Sequence, residues 1–310
     1  MLELCNSYAV SGYETSVREQ LIHRLTSHCG SLKVDTLGNL LVFKEGKNKD
    51  KKIMVTVPMD EPGIIVKKIT EDGYLKFQII GRLRPEFLAF KQVIINGHSG
   101  VIGLKAVHLT TKEERERPLK TTDLFIDIGA SSYQEAANII TVGDYGVIDS
   151  SCMVFGKEMI KGRSIGARLA CSMVAELLSE ELPIGLEVIF SVQREIGCRG
   201  ICTALSQTEA EVAIAIDGIE GTPNNGVLIA KHTDAQLKEQ LLQLAKRNEI
   251  PLTSCVSDTK GQEIVLLQAG KRVIAMGLPV RYPESASQVA SLADVKQAKK
   301  ILQLFMEELA

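Results

Sequence analysis

The sequence has almost no net charge and no long apolar segment. Its 310 residues include 36 Lys and Arg against 38 Asp and Glu, which gives a formal net charge of −2. A nucleic-acid or anionic-membrane partner needs a basic surface, so the composition favours neither. No apolar run reaches the ~18–20 residues that span a bilayer, and the chain does not open with the basic and apolar segments typical of a secretory signal. We therefore expect a cytoplasmic protein with no nucleic-acid or membrane partner.

Two catalytic signatures and a histidine-based metal site are also missing. The sequence contains no Gly-x-Ser-x-Gly nucleophile elbow and no glycine-rich phosphate loop of the required spacing. Its five His residues are scattered, and we keep His232, which follows a predicted strand, as a candidate substitute ligand. The seven Cys residues are scattered too, and we expect reduced thiols. The spacing of Cys198 and Cys202 would also suit a metal ion, but no matching His or Cys pair lies nearby.

What the chain does contain is an alternation of strand and helix patterns. Residues 1–63 and 152–310 combine short apolar strands with amphipathic helices, which is typical of a mixed, mostly parallel sheet flanked by helices. Residues 64–151 show short alternating strands broken by Gly and Pro, which predicts a small β-rich domain. We therefore predict an α/β fold with an inserted β-domain. The clearest strands are 186–192, 212–216 and 273–278, and the clearest helices are 165–178 and 292–309.

Two further predictions concern the N-terminal part of the chain. The apolar positions of residues 2–29 follow a helical period, which predicts one helix. Residues 44–52 are polar and mostly basic. We interpret them as a solvated turn that precedes a short buried strand at 53–57.

The segment 186–200, LEVIFSVQREIGCRG, is the most informative part of the chain. It begins as an apolar, β-branched run, which predicts a buried strand. It then continues through Arg194 and Glu195 to Gly197 and Gly200. Charged side chains at the C-terminal end of a strand, followed by glycines and a helical pattern, lie where open α/β sheets have their active sites. The sequence therefore predicts the functional site at this strand end.

This segment and four others resemble the glutamyl-aminopeptidase and deblocking-aminopeptidase family, whose members form tetrahedral particles and carry two divalent metal ions, Zn or Co. The resemblance covers nearly the whole chain. It implies a zinc-peptidase-like α/β domain, 1–63 and 152–310, and an inserted β-domain, 64–151, that serves in oligomerisation. It also implies a homo-oligomer, of which a dodecamer is one form, or co-assembly with an active paralogue. The other landmarks are 10–14 (VSGYE), 35–40 (DTLGNL), 124–130 (LFIDIGA) and 279–282 (PVRY).

The resemblance also implies a set of metal ligands, and several positions of this chain depart from it. Family members have a ligand His two residues before an Asp; this chain has Pro58 there, and Asp60 keeps the position of the carboxylate that orients the His. Gly162 stands where the bridging carboxylate is expected. Arg194 stands at the position of the general base, and a guanidinium cannot accept a proton at any ordinary pH. We therefore assign no catalytic residue.

Three ligand positions still carry carboxylates. Glu195 and Asp217 keep the positions of two family ligands, and Glu284 stands in place of a ligand His. A dinuclear centre needs roughly four donors for each metal, with a carboxylate bridging the pair. Because the bridge and one His are missing, we interpret the chain as a degenerate member of the family, a pseudoenzyme, and expect no cofactor.

Arg194 is expected to replace part of the missing positive charge. Without two divalent cations the remaining carboxylates repel one another, and each buried anion without a partner costs several kcal/mol. A guanidinium binds carboxylates in a bidentate manner. We therefore predict a salt-bridge cluster of Arg194 and Arg163 with some of the carboxylates of Asp60, Glu195, Asp217 and Glu284.

Three functional interpretations follow. The first is a catalytically inactive family member that keeps the fold and acts as a binding or accessory subunit, with a peptide as its ligand. The second is an active metallo-aminopeptidase or other hydrolase with an altered single-metal site, in which Glu195, Asp217 and Glu284 hold one hard cation such as Mg²⁺ or Mn²⁺. The third is a structural partner that co-assembles with an active paralogue.

Overall fold

A mixed eight-stranded sheet forms the centre of the α/β domain. The computed structural model describes residues 1–256 and 261–310. The four central strands are parallel, and each contains a run of buried residues, which explains their unbroken runs of apolar residues. The predicted α/β fold is confirmed. In spatial order the strands are β1 (Ser31–Val34), β2 (Leu40–Lys44), β12 (Ile184–Ser191), β3 (Asn48–Pro58), β13 (Val212–Glu220), β16 (Arg272–Val280), β14 (Val227–Ala230) and β15 (Leu252–Cys255).

Helices cover both faces of this sheet. One face carries α1 (Leu2–Asn6), α2 (Thr15–Leu25), α5 (Ile165–Leu177), α7 (Ala235–Arg247) and α9 (Leu292–Leu309), and the other carries α6 (Arg199–Ala204) and α8 (Gln262–Gln268). Helix α5 is buried along almost its whole length because it packs on β3, β13 and β16 and also contacts α1, α2 and α9. None of the helices in the described part of the chain combines the length and the apolar character needed to cross a membrane.

A closed antiparallel barrel interrupts the α/β domain. It has its own hydrophobic core, separate from the two cores that flank the large sheet. The division at residues 64–151 and its role in oligomerisation remain predictions. In barrel order the strands are β4 (Gly63–Ile69), β5 (Leu75–Ile80), β8 (Leu124–Asp127), β7 (His98–Leu104), β6 (Gln92–Ile95) and β9 (Tyr145–Ile148), and the short helices are α3 (Lys112–Glu116) and α4 (Tyr133–Ala137).

The chain leaves the barrel through a small antiparallel sheet. Its strands are β10 (Met153–Phe155), β11 (Met159–Gly162) and β17 (Gln288–Ser291). Strand β11 leads directly into α5, and β17 leads into α9. This sheet therefore joins the barrel to α5 and α9, two of the helices that cover the α/β domain.

Two predictions for the N-terminal part of the chain are wrong. Residues 2–29 form two helices rather than one, because Val10 pairs with Glu61 in an isolated β-bridge and Gly12 has a φ of 94°, a conformation that favours glycine. Residues 44–52 are not all turn, since β3 begins at Asn48 and its first residues extend into solvent as a polar strand.

Candidate functional site

A cleft of about 770 Å³ opens at the C-terminal ends of the parallel strands, between the large sheet and the barrel. This volume lies within the range of ligand pockets, roughly 300–1,000 Å³. Arg194 follows β12, Asp217 lies near the end of β13, and Glu284 follows β16. The barrel contributes Arg82 and Arg84 from the connection after β5. The cleft therefore has the position expected for a ligand site in an open α/β sheet.

Strained backbone surrounds this cleft. Four non-glycine residues, Ser164, Gln193, Cys198 and Tyr282, have φ values between 39° and 59°. Each such conformation costs roughly 1–3 kcal/mol and persists when neighbouring contacts hold it. The N–H of Gln193, for example, donates to Glu14 Oε1 at 3.0 Å. Strain of this kind concentrates at functional sites, which supports the cleft as the place where this protein acts.

Arg194 forms the centre of an ion-pair cluster in the cleft. Its Nη1 donates to Glu195 Oε1, and its Nη2 donates to Asp217 Oδ1 at 3.0 Å. The Arg194 and Glu195 side chains are only 12% and 3% exposed, so solvent screens their attraction little. Burial alone would lower the pKa of Arg194, but the carboxylates of Asp217 and Glu195 outweigh it and raise that pKa above its ordinary value. Arg194 therefore remains a cation in this site.

A further carboxyl group, that of Asp60, borders this guanidinium. Asp60 is fully buried, and its Oδ2 accepts the backbone N–H of Glu195 at 2.9 Å. Burial raises the pKa of Asp60 and of Asp217, while the charge of Arg194 acts in the opposite direction on both. Asp60 thus holds the backbone of residue 195 in place in this structure, where the family resemblance implies that it orients a His.

The barrel covers Glu195 from the other side. Gly81 has a φ of 78° and lies against the Glu195 side chain. The N–H of Arg82 donates to Glu195 Oε2 at 3.1 Å. Both carboxylate oxygens of Glu195 are therefore already bonded to donors of the protein.

We expect Gly81→Ala to lower the free energy of unfolding by about 1–3 kcal/mol more than Gly97→Ala. Both glycines have a φ near 80°, but a Cβ at residue 81 would lie 2.6 to 2.9 Å from Glu195 side-chain atoms, whereas a Cβ at residue 97 meets nothing within 4 Å. Urea unfolding followed by circular dichroism measures both losses. Equal losses of unfolding free energy in the two variants would show that the barrel is not in close contact with the Glu195 side chain.

Glu284 and Arg163 do not join the Arg194 cluster. Glu284 forms an ion pair with Arg84, and both side chains are largely exposed. Arg163 is absent from the cluster, contrary to the prediction, because the buried carboxylate of Glu61 binds it instead. Its Nε donates to Glu61 Oε2 at 2.9 Å.

Arg163, Arg168 and Glu61 form a second, deeper cluster. Arg168 Nη2 donates to Glu61 Oε1 at 3.1 Å. One carboxylate thus faces two guanidinium groups. Carbonyl oxygens and the Tyr8 ring, whose centroid lies 4.9 Å from Arg163 Cζ, further stabilise these cations. Burial would raise the pKa of Glu61, but the two guanidinium groups overcome it and lower that pKa below its ordinary value.

Pro58 and Gly162, where the family resemblance implies metal ligands, have no metal-binding side chain, and both pack against neighbouring residues. Pro58 is the last residue of β3, and its carbonyl accepts the Cys171 thiol at 3.2 Å. Gly162 ends β11, and a Cβ there would lie 3.0 Å from Ile165 Cδ1. His232 does not line the cleft within the described residues.

A sequence profile of the M42 glutamyl aminopeptidases matches residues 38–301. This chain belongs to that family. Lysyl aminopeptidase of Pyrococcus furiosus is 26% identical, with 100% of this chain and 96% of its own covered. An aminopeptidase structure from Desulfurococcus kamchatkensis superposes with a TM-score of 0.92 at 26% identity, covering 99% and 93% of the two chains. The Pyrococcus horikoshii TET1 peptidase shares the fold, with a TM-score of 0.87 at 24% identity over 99% of this chain and 98% of its own.

Membership of the M42 family corrects one expectation. M42 aminopeptidases are dinuclear metal enzymes, so the expectation that this chain has no cofactor is wrong, and the family implies two divalent cations. The residues present do not fit such a pair, however. In residues 1–256 and 261–310, no three His, Cys, Asp or Glu side chains are grouped so that they could hold a metal ion. The carboxylates of Glu195 and Asp217 are instead bonded to Arg194.

The sequence alone did not reveal the barrel's part in this M42 cleft. Arg82 lies 113 residues before Glu195 in the chain, and no pattern links the two. The available signal was the segment 81–85, GRLRP, in which one leucine separates two arginines. This segment lies between two strand patterns. Only the docking of the barrel on the sheet brings these residues to the site.

Proposed function

We propose that this M42-family protein is a pseudoenzyme that binds a peptide, as a binding or accessory subunit, and does not hydrolyse it. The observation that supports this most strongly is the guanidinium of Arg194, which is bonded to Glu195 and Asp217. The family resemblance implies a general base at this position. A guanidinium cannot take a proton from water. Its positive charge also opposes the approach of a divalent cation to the same two carboxylates.

The unpaired charges of the cleft favour a peptide ligand. The guanidinium of Arg82 and the carboxylate of Glu220 both line the cleft, and neither has a hydrogen-bond or ion-pair partner within the described part of the chain. Phe87 and Tyr282 are 46% and 61% exposed and provide apolar walls. A short peptide offers a carboxylate, an ammonium group and apolar side chains to such a surface.

The proposal extends to assembly and location. The Pyrococcus horikoshii peptidase assembles into a tetrahedron or a large octahedral shell, and we propose a homo-oligomer for this chain as well, with the barrel, residues 64–151, contributing contacts. Co-assembly with an active paralogue is the alternative that native mass measurement with such a relative would detect.

The seven cysteines are free thiols, which supports a reducing, cytoplasmic location.

Peptide binding without hydrolysis is the expected result for the purified protein. We expect titration calorimetry to detect the binding of short peptides. We also expect that aminoacyl-nitroanilides supplied with Zn²⁺, Co²⁺ or Mn²⁺ are not cleaved. Arg82→Ala should weaken peptide binding about 10-fold to 100-fold, because a charge-assisted hydrogen bond contributes ~1.5–3 kcal/mol.

Arg84→Ala is the matched control for this experiment. It removes a cleft arginine that is already paired with Glu284, so peptide affinity should change much less. Two bound metal ions per chain together with nitroanilide hydrolysis would contradict the proposal. One bound metal ion with weak hydrolysis would favour the single-metal hydrolase instead.

A further inference from the structure

A second cavity, of about 420 Å³, lies between the barrel and the segment that joins α1 to α2. Its walls come from this segment, from the connection between β6 and β7, and from β9 with the residues just before it. The volume falls within the range of ligand pockets. The cavity shares no lining residue with the cleft at the strand ends. It is therefore a separate candidate site.

Tyrosine is concentrated in this cavity. The chain has six Tyr and no Trp, and three of the six, Tyr8, Tyr13 and Tyr145, line the cavity. The rings of Tyr13 and Tyr145 are stacked, with centroids 5.6 Å apart and an interplanar angle of 9°. Parallel rings at this separation are offset, so the two rings form one continuous aromatic platform. Tyr13 is 61% exposed, which leaves the platform accessible to a ligand.

The aromatic side chains are held in place by the fold. Gly12 has a φ of 94°, a conformation that favours glycine, and a Cβ there would lie 3.3 Å from Tyr145 Oη. The absence of a side chain at residue 12 thus lets Tyr145 approach the α1–α2 segment closely. The guanidinium of Arg163 lies over the Tyr8 ring, with Cζ 4.9 Å from the centroid. The site therefore needs little rearrangement to receive a ligand.

The charges of the cavity favour a cation. Asp144 lines it and forms no ion pair within the described part of the chain. Asp144 Oδ2 accepts the backbone N–H of Thr141 at 2.8 Å, which fixes the carboxylate and leaves Oδ1 for a ligand. Among the described residues that line the cavity, none is Lys, Arg or His. An anionic ligand would therefore meet no opposite charge here.

We propose that this cavity is a binding site for a quaternary ammonium cation. The negative faces of aromatic rings attract cations, and the carboxylate of Asp144 adds to this attraction. A quaternary group has no N–H, so it leaves no hydrogen-bond donor unpaired when it moves from water onto the rings. Its methyl groups also pack against the apolar side chains of Val10 and Ile94, which line the same cavity. A free choline-like compound and a trimethylated lysine side chain both present this group.

Titration calorimetry of the full chain with choline tests the proposal. The matched ligand is dimethylbutanol, the neutral analogue in which carbon replaces the nitrogen. We expect choline to bind about 10-fold more tightly, because only choline has the charge that the rings attract. Acetylated trimethyllysine amide separates the two sources: tighter binding than choline identifies a modified lysine, and weaker binding identifies a free cation. Equal affinity for choline and its neutral analogue, or no choline binding at millimolar concentration, would overturn the proposal.

Single substitutions assign the binding to this cavity. Tyr13→Leu should weaken choline binding about 10-fold, whereas Tyr13→Phe keeps the ring and should retain it. Asp144→Asn should weaken it several-fold. Tyr133→Leu removes a tyrosine that is 48% exposed and lies outside the cavity, and should leave the affinity unchanged. Arg82→Ala, which tests the peptide cleft, should leave it unchanged too, so the two proposals can fail separately. Unchanged choline affinity in Tyr13→Leu, or an equal loss in Tyr133→Leu, would contradict this assignment.

Discussion

Replacing Arg194 with glutamate is expected to make the stability of this protein depend on divalent cations. The substitution removes the only guanidinium bonded to Glu195 and Asp217 in the described structure, and adds a further carboxylate beside Asp60. Removing one partner of a buried ion pair costs about 3–5 kcal/mol, so the free energy of unfolding should fall by at least this amount. Added Mn²⁺ or Co²⁺ should restore part of it, because clustered carboxylates bind hard cations.

Circular dichroism in urea measures this effect, since the chain has no Trp for fluorescence. Two control variants separate the causes of the loss in unfolding free energy. Arg194→Met should be destabilised without rescue by cations, since it adds no ligand. Arg194→Lys keeps the charge but loses the bidentate geometry and should be destabilised less. If Arg194→Glu were as stable as the unmodified protein in the absence of cations, Arg194 would not compensate the carboxylates of the cleft.

The parts of the site that follow strands could be predicted from the sequence. Buried parallel strands are apolar along their whole length, so residues 186–192 and 212–216 were recognisable, and the charged residues after them had to lie at one edge of the sheet. Arg194, Glu195 and Asp217 meet there because β12 and β13 both run parallel to β3. A short stretch of sequence was enough to predict where these residues lie, because each of them is close to the end of a strand that the sequence reveals.

The contacts made by tertiary docking could not be predicted in this way. Arg163 lies one residue after Gly162 and was expected in the cleft, but its position depends on the bridge between Val10 and Glu61, which brings a buried carboxylate within reach. The sequence shows that a charged residue is present, but it does not show which oppositely charged side chain that residue contacts. The polar start of β3 was missed for a related reason, since an exposed strand continuation has no apolar pattern to reveal it.

Glu61→Gln is expected to cause the other large loss of stability. Glu61 accepts the Ala9 N–H at 2.8 Å in addition to its bonds with Arg163 and Arg168, and its side chain is 1% exposed. A neutral amide would leave two buried guanidinium groups facing each other without an anion. We expect a loss of about 3–5 kcal/mol in the free energy of unfolding at neutral pH. Glu158→Gln, which breaks the exposed pair with Lys296, should cost at most about 1 kcal/mol.

The pH dependence of this loss identifies the charge of Glu61 as its cause. The two arginines hold the pKa of Glu61 in the folded protein below its ordinary value of 4.5. The ionised carboxylate therefore stabilises the fold fully above this ordinary value, and the stabilisation disappears as the pH falls through the lower folded-state pKa. The difference in unfolding free energy between the unmodified protein and Glu61→Gln should thus be constant near neutral pH and shrink in acid. A difference that does not change with pH would mean that packing and hydrogen-bond geometry, rather than charge, make Glu61 necessary.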